Sequence, residues 1–316
     1  MGYAFDPELA ALLELMPPFT IEDVPAAREA FTAVMAGRPA ELPRPEILRI
    51  VDRTVPGPPG APDVRVRVYA PAGPVPGHCW SLPAVLYLHS GGWVFGSLDA
   101  EHLPAAAVAV EVGAVVVSVG YRLAPEDPYP AAVQDGYAAL EWLAAAGPEL
   151  GVDPGRIAVM GSSAGGGLAA ALTLMARDRA GPRIAFQVLN VPVLDDRLGT
   201  ASMAAYTDIP VWNRPNAELS WRHYLRGTQG ETPPYAAPAR AGDLSGLPPA
   251  YVAVAQFDPL RDEGIEYAQR LLQQGIPTDL HCFPGTFHGA TLTPSAGVSQ
   301  RQVAQMHEAL RLALAS

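Results

Sequence analysis

Residues 157–168, Ile157-Ala158-Val159-Met160-Gly161-Ser162-Ser163-Ala164-Gly165-Gly166-Gly167-Leu168, decide how this chain is read. Four consecutive apolar residues make a short buried strand, and the alanine-rich run after Gly166 has the character of a helix. Between them stands Gly-x-Ser-x-Gly. A serine at the centre of a strand–turn–helix bend is held with its hydroxyl pushed outward, while the flanking glycines let the backbones on either side approach without a Cβ clash. That geometry presents a nucleophile, and Ser163 is the candidate. Ser162 would point sideways from the bend and ranks below it.

Working outward from this turn, the pattern is strand–helix repetition. Apolar runs at 83–88, 114–119, 156–160, 184–191, 250–255 and 278–283 read as strands. Helices are expected at 100–112, 131–146, 166–180, 264–274 and 298–315. Continuous rather than alternating apolar strands separated by helices indicate an α/β fold with a mostly parallel sheet covered on both faces. Earlier, 48–55 and 63–70 alternate as antiparallel strands around a Pro/Gly turn, giving about eight strands in all. Residues 6–16 and 22–36 carry helical spacing. Residues 195–235 break the rhythm, being polar and aromatic. Long insertions in such sheets lie above the strand ends where ligands bind. We therefore expect 1–316 to form a single domain with a helical cap built from about 1–45 and 195–235. A surface hairpin without substrate contact is the alternative for the insertion.

Composition narrows the function. The chain of 316 residues is 17% charged with a net charge of −11, a globular composition that disfavours phosphate backbones and anionic lipid surfaces as partners. It has no lysine. Cys79 and Cys282 match neither a metal-ligand spacing nor a disulfide framework, so free thiols in a reducing compartment are expected. With no signal-like start and no apolar run long enough to span a membrane, a cytoplasmic protein without a membrane anchor is the expectation.

Acyl transfer at a serine requires a base, an orienter for the base and donors for the oxyanion. His89-Ser90-Gly91-Gly92-Trp93 follows a strand, and its adjacent glycines let backbone N–H groups converge on one point. Gly91, Gly92 and Ala164 are the candidate donors. His89 is expected to fix that loop rather than act as base. Downstream, Asp258 ends a strand before a proline and His288 stands in a glycine-flanked loop. Asp262 competes for the acid role but falls in the first turn of the next helix, where the dipole favours a carboxylate. Arg122 and Glu126 are expected to form a structural ion-pair and hydrogen-bond cluster that supports the elbow and takes no part in the chemistry.

Four blocks carry a family resemblance: His89–Trp93, Tyr121-Arg122-Leu123-Ala124-Pro125-Glu126, Gly161–Gly166, and Asp258-Pro259-Leu260-Arg261-Asp262-Glu263-Gly264. Together they resemble the hormone-sensitive-lipase-like branch of the α/β-hydrolases, the family IV carboxylesterases. The resemblance implies an α/β-hydrolase fold, the order Ser163…Asp258…His288 for the triad, and an oxyanion hole from Gly91, Gly92 and Ala164. It also implies a small-molecule ester substrate, no metal or other cofactor, and a homodimer. Two positions depart from the family pattern: Ser90 stands where glycine is usual, and Ser162 where aspartate or threonine is usual. Trp93, Tyr206, Trp212 and Trp221 are expected to wall a compact pocket for short or medium acyl chains. The same triad could serve an acyltransferase, a lactonase or an amidase. A non-catalytic receptor of this fold would lack the histidine, which is present here.

Overall fold

The computed structural model describes residues 3–13, 19–36, 45–73 and 81–315. The expected helical residues 14–16, Cys79 and parts of the proposed N-terminal cap lie outside them.

Eight strands form one sheet: β1 (Leu48–Val55), β2 (Val64–Pro71), β3 (Leu82–Leu88), β4 (Val115–Gly120), β5 (Val152–Ser162), β6 (Phe186–Asn190), β7 (Ala250–Phe257) and β8 (Thr278–Phe287). Their order is β1-β2-β4-β3-β5-β6-β7-β8. β2 is antiparallel to both its neighbours and every other pair is parallel. The central strands are apolar on both sides because both faces are covered. On β3, Ala84, Leu86 and Leu88 enter one core while Val85 and Tyr87 enter the other, as a period of two requires.

The first core lies beneath α4 (Ala131–Leu150), α5 (Ala164–Asp178) and α8 (Arg261–Gln273). The second lies beneath α3 (His102–Val112) and α9 (Gly297–Leu314). Chains leaving the adjacent strands β3 and β5 therefore turn to opposite faces. The crevice this opens at their carboxyl ends is where ligands bind in such sheets.

The N-terminal segment carries α1 (Pro7–Leu13) and α2 (Val24–Ala36), and the 195–235 insertion carries α6 (Ala201–Ala205) and α7 (Arg214–Tyr224). The two segments meet through Asn216, whose side chain accepts from Ile21 N–H at 3.2 Å and donates to the Phe19 carbonyl at 3.0 Å. Boundaries moved in two informative places. α5 begins at Ala164, directly after the serine, and β5 reaches back to Val152, which pairs with Leu82 across a register shift.

Candidate active site

Ser163 sits between β5 and α5 with φ 57° and ψ −121°, a left-handed conformation that costs a non-glycine residue about 1–3 kcal/mol. Its backbone is pinned: its N–H donates to the Asn190 carbonyl at 2.9 Å, and its carbonyl accepts from Gly167 and Val193 at 3.0 and 3.1 Å. Both elbow glycines are obligatory for contact as well as turning. A Cβ on Gly161 would lie 2.2 Å from the Gly165 carbonyl, and one on Gly165 would lie 2.1 Å from the Leu88 carbonyl oxygen at the end of β3.

The Ser163 hydroxyl lies 2.9 Å from His288 Nε2, and His288 Nδ1 lies 2.8 Å from Asp258 Oδ2. A carboxylate can only accept, so the proton belongs on Nδ1 and Nε2 is free to accept from the serine. The other Asp258 oxygen accepts from Leu260 N–H at 2.9 Å. All three residues are buried, with Asp258 1%, Ser163 4% and His288 6% exposed, so water competes weakly for these bonds.

The competing residues are occupied elsewhere. The Ser162 hydroxyl accepts from Asn190 Nδ2 at 2.8 Å, and Asn190 Oδ1 in turn accepts from Gln302 Nε2 at 2.7 Å. Asp262 lies in the first turn of α8, paired with Arg261 at 2.8 Å and accepting from Ser202 N–H at 2.7 Å. Burial pushes its carboxyl pKa up, but the hydrogen bonds from Arg261 and Ser202 hold it below the usual carboxylate range.

The expected oxyanion donors belong to two segments, the loop after β3 and the first residue of α5. Among the described residues, none accepts from the N–H of Gly91, Gly92 or Ala164. The loop that carries the two glycines is fixed from several sides. The His89 ring stacks on Tyr121 at 3.9 Å, its Nδ1 donates to the Ser90 carbonyl at 2.8 Å, and burial keeps its pKa low. The Ser90 hydroxyl donates to Glu101 at 2.5 Å, and Tyr87 donates to the same carboxylate at 2.9 Å. The serine that departs from the family pattern thus anchors the loop to the start of α3. The Ser220 hydroxyl binds the Gly92 carbonyl at 2.8 Å.

The aromatic candidates separate by position. The Trp212 ring lies 5.8 Å from that of His288, and a Cβ on Gly92 would be 2.8 Å from its indole. Trp93 and Trp221 pack on one another in the core, with Trp93 stacked 4.1 Å from Tyr224. Tyr206 packs against Tyr3 and Phe257, on the flank of the segment bearing Asp258. Arg122 and Glu126 both enter structural ion pairs, as expected, but not with each other. Arg122 forks onto the buried Asp135 at 2.7 Å, and Glu126 pairs with Arg28 at 2.7 Å. Arg28 also donates to the Val94 and Ala124 carbonyls, so α2 braces the loop beyond the glycines. Sequence spacing favoured the near neighbour, whereas both arginines found carboxylates through the fold.

A covered parallel sheet with this elbow and this serine–histidine–aspartate chain defines a serine hydrolase of the α/β-hydrolase class. The family described as alpha/beta hydrolase fold matches residues 85–292, and the chain belongs to it, in its hormone-sensitive-lipase-like branch. It is 42% identical to a protein named carboxylesterase NlhH from Mycobacterium tuberculosis, over 96% of each chain. It is 41% identical to esterase LipI from the same species, over 90% of this chain and 88% of that one. The solved structure of a bacterial heroin esterase superposes with a TM-score of 0.95 at 45% identity, covering 99% of both chains.

Proposed function

We propose that this protein is a serine carboxylesterase in which Ser163 is the nucleophile, His288 the base and Asp258 its orienter. The carrying observation is the unbroken chain from the Ser163 hydroxyl through His288 to Asp258, at 2.9 and 2.8 Å. His288 takes the serine proton as the hydroxyl attacks the ester carbonyl. The oxyanion that forms is held by the N–H groups of Gly91, Gly92 and Ala164, each worth about 2.7–4 kcal/mol in the transition state. His288 then passes the proton to the leaving alcohol and activates a water for deacylation.

Short acyl chains are the preferred substrates in this reading. The Trp212 indole lies against Gly92 and beside His288, so the acyl side is walled close to the reacting carbon. Trp93 and Trp221 pack with Tyr224 in the core below the glycine loop, and Tyr206 supports the acid segment. The contact of α7 with the N-terminal segment through Asn216 supports a cap made of both. A cytoplasmic setting is carried over from the sequence reading, and no helix among the described residues is long and apolar enough to cross a membrane. β8 pairs only with β7 among the described strands, and Leu280 on it is exposed, which supports a homodimer.

The test is hydrolysis of p-nitrophenyl esters from acetyl to palmitoyl by the wild type and Ser163→Ala. A maximum at short chains that vanishes in the variant is expected. Equal rates in the two proteins would overturn the nucleophile, and a maximum at long chains would overturn the acyl preference.

A further inference from the structure

The acid and the base of this site stand at the ends of two neighbouring strands. Phe257 is the last residue of β7 and precedes Asp258. Phe287 is the last residue of β8 and precedes His288. The two phenylalanines are cross-strand partners, but the register shifts between Ala255 and Phe257. Side chains bridge the irregular stretch, with Gly285 N–H donating to Gln256 Oε1 at 2.7 Å and Gln256 N–H meeting Thr286 Oγ1 at 3.4 Å. Ladder bonds are thus disrupted where the mutual position of Asp258 and His288 matters most.

A segment remote in sequence lies across this place. The Phe5 ring meets Phe257 edge-on at 5.4 Å and 85°, and Phe287 edge-on at 5.6 Å and 77°. One ring therefore contacts both residues that carry the acid and the base. The segment is docked firmly. Asp6 N–H donates to the Gly285 carbonyl at 2.9 Å, and Glu8 accepts from Gly297 N–H at 2.6 Å. Gly285 has φ +72°, and a Cβ there would lie 2.7 Å from Asp6 N, so the close approach requires glycine. Leu9 is fully buried. On the other side, the Tyr3 hydroxyl donates to Asp208 at 2.6 Å and its ring packs on Phe257 and Tyr206. That hydrogen bond and burial push the Tyr3 pKa up to about 12, so it remains a donor through neutral pH.

We propose that Phe5 is a positioning residue for the acid–base pair, a clamp that sets the separation of Asp258 and His288 by holding Phe257 and Phe287 against one ring. The inference rests on the triad roles given above. The clamp acts on chemistry, because proton transfer depends on sub-ångström placement, and it leaves substrate affinity largely alone.

The experiment compares Phe5→Ala and Phe5→Leu with the wild type in the full chain. It measures kcat and KM on p-nitrophenyl acetate, the melting temperature, and the downfield proton resonance of a histidine Nδ1–H bonded to a carboxylate. Phe5→Ala is expected to lose about ten- to a hundredfold in kcat with KM little changed. The downfield resonance should broaden or vanish well below the melting temperature, and Phe5→Leu should recover most of both signals. A Phe5→Ala protein that melts earlier yet keeps kcat and the resonance would overturn the clamp. Should Phe5→Ala fail to fold, the smaller Phe5→Val decides: a loss of both signals greater than that of Phe5→Leu supports the clamp, and wild-type values in both variants refute it. The resonance needs no substrate. A wild type inactive on every ester would therefore count against the esterase reading, while the clamp would still be judged by the resonance.

Discussion

Replacing Ser163 by glycine should yield a more stable protein than replacing it by alanine, although both remove the nucleophile. At φ 57° and ψ −121° the serine Cβ sits in a conformation costing about 1–3 kcal/mol. Neither variant can relax away from it, because Asn190, Gly167 and Val193 hold the backbone from three directions. Alanine keeps the strain and loses the bond to His288, worth about 0.5–1.5 kcal/mol. Glycine loses the same bond and sheds the strain, at about 0.5–1 kcal/mol of extra backbone entropy in the unfolded chain. The difference between the variants is therefore about 1 kcal/mol in favour of glycine. For a chain of 316 residues, at ~2.1 cal/mol/K of unfolding entropy per residue, that is roughly 1.5 °C in Tm. Differential scanning calorimetry on matched preparations resolves such a shift. If Ser163→Gly melted at or below Ser163→Ala, the elbow would store no strain at the nucleophile and this account of it would be wrong.

Two further substitutions test the assignments. Asp258→Asn should cut kcat by about 10⁴, the scale set by an orienter that no longer fixes the tautomer of its histidine. Asp262→Asn should lose far less, and steady-state kinetics on one short ester separates them. Trp212→Ala should move the chain-length maximum towards longer acyl groups, since it removes the wall against Gly92. An unchanged p-nitrophenyl ester profile would place the acyl group elsewhere.

The sheet was legible because burial on both faces forces unbroken apolar strands, as in β3, β4 and β7, and because only glycine fits at 161 and 165. The chemistry was legible for the same reason: a strained serine between close-packed backbones leaves a local mark. What escaped was long-range. Arg122 finds Asp135 and Glu126 finds Arg28 across 98 residues of chain, and spacing cannot rank such partners against an adjacent carboxylate. Ser202, which donates to the Pro259 carbonyl at 2.8 Å and so steadies the acid segment, sits in an insertion with no periodic signal. The same holds for Phe5, whose contacts with Phe257 and Phe287 depend on a register shift that hydrophobic patterning does not encode.

The contact between Gly165 and the end of β3 has a consequence for how this scaffold can change. The spacing between the elbow that carries Ser163 and the end of β3 is set by main chain against main chain, since the atoms nearest a Cβ on Gly165 all belong to the Leu88–His89 backbone. Mutations in the aromatic walls therefore leave that spacing untouched. New substrate preferences can accumulate in the insertion, at positions such as Trp212, while the elbow keeps its place against β3. Divergence in specificity and retention of catalytic power are, in this architecture, separable traits.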